Sequence, residues 1–138
     1  MAHPSDDPRF HEALAHFNDG RYFQAHEVWE ALWHHLPKQK PEPAGGDRLF
    51  VQGLIQLAVS LEHWRRGNPR GARGQWEKSR AKLAPCPAWR DGIDLGAVLA
   101  ATEAFYAARD LSAAEAAQRA GTWLAPGPEP YPRIHPSP

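Results

Sequence analysis

Apolar positions along this chain recur at helical spacing, and no stretch shows the alternation of a half-buried strand. Between Tyr22 and Leu36, the residues Tyr22, Ala25, Trp29, Leu32, Trp33 and Leu36 fall on one arc of a helix, with His26 at its edge and Glu30 just past it. Between Leu49 and Leu61 the apolar residues surround most of the circumference, which predicts the central buried helix. The predicted class is therefore all-α, a multihelical bundle.

Punctuation divides the pattern into six helices. The first runs from about Pro8 to Phe17, with Asp6 or Asp7 as cap, and Asn18-Asp19-Gly20 ends it. The second runs from Tyr22 to Leu36 and stops at Pro37. Asp47 caps a third that extends to Arg66, and Asn68-Pro69 caps a fourth that reaches Leu83. Asp94 opens a fifth through Ala108, and Ser112-Ala-Ala-Glu115 reads as a capping box for a short sixth. From Ala125 onward six of fourteen residues are proline. The expected division is a single helical domain over 1–124 and a Pro-rich tail over 125–138, extended or disordered. Rapid amide exchange is expected there unless Tyr131 and Ile134 dock.

Two of these helical hairpins are alike. At a constant offset of 47 residues, Leu14 matches Leu61, His16 matches His63, and Gly20 matches Gly67. The same offset matches Ala25 with Ala72, Trp29 with Trp76, Glu30 with Glu77 and Leu36 with Leu83. A turn glycine, a small residue where helices approach and a tryptophan filling the gap predict two related hairpins. Trp29, Trp33, Trp64 and Trp76 are expected in the core.

The third helix carries one polar strip, Gln52, Gln56, Ser60 and His63, on a single face. Unpaired buried amides or imidazoles cost about 1–3 kcal/mol each, so the strip needs partners, and His26 and Glu30 on the preceding helix are the natural ones. One reading is a structural seam in which Glu30 orients His26 and the glutamines bridge. The other is a site in which His26, Glu30 and His63 bind a divalent metal, with Glu27 or Gln56 assisting and Tyr22 and Trp33 lining a pocket. Only three firm ligands can be named, fewer than a closed zinc site needs, and His-Glu-x-x-Glu lacks the second histidine of a zinc-protease helix.

Sixteen basic residues balance sixteen acidic ones, so no nucleic-acid partner is expected. The most apolar segment is too short and interrupted to span a bilayer, no secretory leader is legible, and a single cysteine, Cys86, fits a reducing compartment. A cytoplasmic protein with a protein partner or self-association is the expectation.

The motifs carry a family likeness. Phe17-Asn18-x-Gly20, Ala25-His26-Glu27-x-x-Glu30, Trp33, then Gln52-Gly53-Leu54-Ile55-Gln56, His63, Gly67-Asn68 and Gly71-Ala72 resemble the helical family known as domain of unknown function 309. The likeness covers roughly residues 10 to 83. It implies a small multihelical bundle and leaves the activity open: a structural or protein-interaction module, or a metal-dependent hydrolase or small-ligand binder.

Overall fold

A computed structural model describes residues 3–122 and 130–137. After a 3-10 turn over Pro4–Asp6, the chain forms α1 (Pro8–Asn18), α2 (Tyr22–Trp33), α3 (Asp47–Arg65) and α4 (Pro69–Leu83). A two-stranded ribbon, β1 (Trp89–Arg90) and β2 (Ile93–Asp94), follows, then α5 (Leu95–Arg109) and α6 (Leu111–Arg119). The molecule is predominantly helical, as the periodicity requires. Among the described residues no helix is long and apolar enough to cross a membrane.

Local chemistry sets the helix ends. Asp7 accepts from the Arg9 amide at 2.9 Å, and Pro8 sits in the first turn, where its missing N–H costs nothing. Gly20 and Gly67 adopt φ of 76° and 79°. Around Gly20 the Arg21 amide donates to the His16 carbonyl at 2.8 Å; around Gly67 the Asn68 amide donates to the His63 carbonyl at 2.8 Å. Both are the same left-handed helix-ending turn, at positions 47 residues apart.

α3 is the central helix, with eleven buried residues including Phe50, Leu54, Leu57 and Leu61. α2 packs on one side of it and α4 on the other. Trp29 is wholly buried between Phe10 and Phe17, with ring centroids 6.5 and 6.1 Å away, and Trp64 and Trp76 both pack against Tyr106. The α3–α4 approach depends on Gly53. A methyl group there would lie 2.6 Å from Leu83 Cγ and Cδ2, and the Ser79 hydroxyl donates to the Gly53 carbonyl at 2.7 Å. Gly53→Ala should gain up to ~1 kcal/mol of helix propensity and lose about 1–3 kcal/mol to overpacking. A lower urea midpoint is the expected net result; an unchanged midpoint would mean that the buried Leu83 has room to shift.

Four sequence expectations need correction. α2 ends at Trp33, not Leu36: the amides of His35 and Leu36 turn back to the carbonyls of Leu32 and Trp33. Pro37 disfavours helical geometry at Leu36, and the buried Arg48 guanidinium takes the freed carbonyls of Trp33 and Leu36 at 3.0 and 3.1 Å. Asp47 is the first residue of α3, with Gly46 as its cap. α6 is capped by Asp110, whose carboxylate accepts from the Ala113 amide at 3.1 Å, while Ser112 and Glu115 both accept from the Arg73 guanidinium. Strands were not expected, yet Trp89–Arg90 pairs with Ile93–Asp94 around Asp91-Gly92, whose φ values of 53° and 78° suit a tight hairpin turn.

Residues 130–137 form a non-helical strap across the bundle. Asn18 reads the Ile134 backbone twice: its amide donates to the Ile134 carbonyl and its carbonyl accepts from the Ile134 N–H, both at 2.8 Å. Ile134 is buried, Tyr131 packs between Tyr22 and Phe105, and the Asp94 amide donates to the His135 carbonyl. The two anchors on which tail order was conditional are both docked. Residues 125–129 and 138 of the expected tail lie outside the described residues.

Candidate functional site

Where α2 lies against α3, Tyr22, Phe23 and His26 face Val59, Glu62 and His63 across a pocket of about 250 Å³, with Arg66 completing its lining. Helical spacing explains the grouping. Tyr22, Phe23 and His26 occupy the first turn or so of α2, while Val59, Glu62, His63 and Arg66 follow one another at steps of three and one on the last turns of α3.

The two imidazoles are held differently. His26 Nε2 lies 3.1 Å from Glu30 Oε2, and its Nδ1 is buried with no hydrogen-bond partner. His63 belongs to a relay that starts from backbone. The Arg70 amide donates to the Gln118 carbonyl oxygen, the Gln118 amide donates to Asn68 Oδ1, and Asn68 Oδ1 also accepts from the Gly71 amide. The Asn68 NH₂ group therefore faces His63 Nδ1, 3.1 Å away, and must donate to it. Neutral His63 carries its proton on Nε2.

Gly71 makes that relay possible. A methyl group there would sit 2.5 Å from Asn68 Nδ2 and 2.9 Å from His63 Nδ1. Glu62, whose side chain is only 13 % exposed, is neutralised by ion pairs to Arg65 and, at 2.6 Å, to Arg66. Burial pushes the Tyr22 phenol well above its ordinary range, so this wall of the pocket is uncharged. Glu62 and Glu30 balance Arg65 and Arg66 in formal charge around the two imidazoles.

The sequence candidates separate. His26, Glu30, His63 and Tyr22 belong to this region. Trp33 does not: its ring lies 3.9 Å from the Arg48 guanidinium and its indole N–H donates to the Arg48 carbonyl, so it clasps the opposite end of α2. Glu27 is exposed, and Gln52 is half-buried outside the pocket lining. The glutamine bridge is absent at Gln56, whose carbonyl oxygen is buried without a hydrogen-bond partner. Ser60 faces the other way, bonded to the Ala72 carbonyl and Tyr106 hydroxyl, both at 2.7 Å. Among the described residues no three His, Cys, Asp or Glu side chains come together as a group able to hold a metal ion, so His26, Glu30 and His63 do not form a ligand set here.

Phe23, Glu62, Asn68, Gly71 and Gln118 were not singled out as site residues from the sequence. Glu62 with Arg65 and Arg66 is legible as pairs at three and four residues, whereas Gln118 lies on α6, and no local pattern announces it. On α4, Arg73 pairs with Glu115 and Arg80 with Glu103.

The pocket and its two imidazoles lie within the segment that carries the motifs, and comparison with known families matches that segment. The family model described as Domain of unknown function (DUF309) covers residues 10–75. Over those residues the chain is similar to that family. An uncharacterised protein of Aquifex aeolicus (strain VF5) is 26 % identical over 100 residues, 72 % of this chain and 28 % of the relative. The uncharacterised protein YpuF of Bacillus subtilis (strain 168) is 38 % identical over 87 residues, 62 % of this chain and 47 % of YpuF. The chain thus spans less than half the length of these relatives. His26, Glu30 and His63 lie inside the matched residues; the Gln118 end of the relay lies beyond them.

Proposed function

We propose that this chain is a helical protein-interaction module whose pocket between α2 and α3 receives one side chain of a partner. The observation that carries this reading is the pocket itself: apolar walls, His26 and His63 in its lining, and Phe23 half exposed beside it. At about 250 Å³ it falls below the roughly 300–1,000 Å³ of small-molecule sites and suits a single anchoring side chain. Because both relatives are longer than the shared stretch, a module working beside other chain is the economical arrangement. A cytoplasmic setting agrees with the single free cysteine. The equivalent turns at Gly20 and Gly67, with buried Ala25 and Ala72 and buried Trp29 and Trp76, support α1–α2 and α3–α4 as two versions of one hairpin.

A photo-crosslinking residue placed at Phe23 in the full chain should trap one defined partner in cells, and Val59→Glu in the same chain should abolish the adduct. The same probe at the exposed Glu103, on α5, serves as control. Equal adducts from Glu103, or adducts that survive Val59→Glu in folded protein, would overturn the assignment. The histidines should matter little for folding. His26→Ala removes no satisfied buried hydrogen bond, so its unfolding free energy should stay within about 1 kcal/mol of wild type. A loss of 2 kcal/mol or more by chemical denaturation would instead favour a structural seam.

A further inference from the structure

We infer that the groove holding residues 130–137 is a peptide-docking site that also takes the same segment of a second copy of this chain, joining molecules by exchanged straps. The inference does not rest on the reading of the α2–α3 pocket. The contacts that grip the strap come from distant parts of the chain. Asn18 on α1 pairs with the Ile134 N–H and carbonyl, both at 2.8 Å, and its own backbone carbonyl accepts from the Arg133 guanidinium at 2.9 Å. Beside β2, Ile93 bridges antiparallel to Pro136, the Asp94 amide donates to the His135 carbonyl at 2.8 Å, and the Ser137 amide donates to the Gly92 carbonyl at 2.9 Å. The strap thus lies against the ribbon as a third strand. Tyr22 and Phe105 take the Tyr131 ring at centroid distances of 5.9 and 5.1 Å.

These are the means by which a protein recognises a separate peptide. A carboxamide paired with one backbone N–H and C=O, and a strand added to an open edge, read extended main chain whichever molecule supplies it. Burial alternates as in a strand, with Pro132 and Ile134 buried and Arg133 and His135 exposed. Pro130, Pro132 and Pro136 restrict the segment toward extended geometry before it docks, which reduces the entropy lost on docking. Cavities of about 610 and 360 Å³ run along residues 130–133, so this part of the strap lies in an open groove. The sequence whose fit these contacts show is 130–137 itself, and a second copy carries it unchanged. An exchanged strap makes the same contacts as a retained one, so concentration decides between them. At an effective concentration of roughly millimolar order, a chain's own strap holds the groove in dilute solution, while crowded chains or chains with a faulty strap exchange.

Two variants of the whole chain with complementary faults test this. Asn18→Ala keeps the strap and spoils the groove; Ile134→Ala keeps the groove and spoils the strap. In isotope-labelled Asn18→Ala alone, the Ile134 and Ser137 amides should exchange freely. Mixed with unlabelled Ile134→Ala at about 0.5 mM each, close to the effective concentration of a short tether, those amides should exchange about tenfold more slowly or slower still. Native mass spectrometry of the mixture should show a one-to-one heterodimer. Unlabelled Asn18→Ala added in place of Ile134→Ala should change nothing. Tyr131→Ala serves as the faulty strap if Ile134→Ala does not fold. Unprotected amides in mixtures with the folded strap variant, association that leaves Ile134 and Ser137 exposed, or equal protection from added Asn18→Ala would overturn the inference.

Discussion

Trp29→Ala should remove about 3–5 kcal/mol from the unfolding free energy, enough to leave a domain of ordinary stability only marginally folded. The reason lies in its position. Trp29 is completely buried, its ring contacts Phe10 on one side and Phe17 on the other, and Phe10 continues to Phe50 on α3 at 6.0 Å. Removing the indole opens a cavity where three helices meet, and neighbours that are themselves wholly buried cannot collapse into it. Trp29→Phe should behave differently. The indole Nε1 is buried without a hydrogen-bond partner, so exchanging it for phenyl relieves an unmet donor while giving up some packing. A loss below about 1.5 kcal/mol is expected from urea unfolding of Trp29→Phe. Equal losses for the two variants would show that the N–H is satisfied after all, by a buried water.

Ile134→Ala should cost about 2–4 kcal/mol, although the residue lies in a proline-rich segment. Ile134 is 2 % exposed, and the backbone on both sides of its side chain is gripped by Asn18. Asn18→Ala should cost part of the same free energy, and the two losses should not add, because both variants release one strap. Additive losses, or an Ile134→Ala midpoint equal to wild type, would mean that the strap is undocked in solution. Amide exchange reads the same question directly. The Ile134 and Ser137 N–H groups, which donate to Asn18 and to the Gly92 carbonyl, should be protected in the wild type and exposed in either variant.

What could be read from sequence divides along physical lines. Helices α1 to α4 and their glycine turns were legible because their determinants are local: a 3.6-residue period, a proline in the first turn, a glycine able to take positive φ. The central place of α3 followed from its nearly continuous apolar girdle. Partners distant along the chain were not legible. Trp33 shares the face of Trp29 and looked like pocket lining, but Arg48 drew it into a clasp. Ser60 shares a strip with His63, yet its hydroxyl turns toward Ala72 and Tyr106. A strip on one helix says which residues are neighbours on that helix and nothing about which neighbouring helix each meets. The ribbon was legible in principle, since Asp91-Gly92 is a strong hairpin dipeptide; the surrounding helical pattern outweighed it. His26, Glu30 and His63 were found by their placement on apolar helices, whereas the Gln118 relay that sets the His63 proton comes from a helix outside the motif.

The strap also sets an order of events during synthesis. Asn18 leaves the ribosome 116 residues ahead of Ile134. At a translation rate of about 5–20 residues per second, the α1–α4 core can assemble roughly 2–10 s before its strap arrives. Until the strap arrives Tyr22, and Ile93 and Phe105 once they emerge, stand uncovered, a sticky seam on a folded core. Crowded nascent chains would meet each other there first. Residues 130–137 thus act as a seal applied after the core has formed, and a message truncated just before them would yield a product that folds and then clumps.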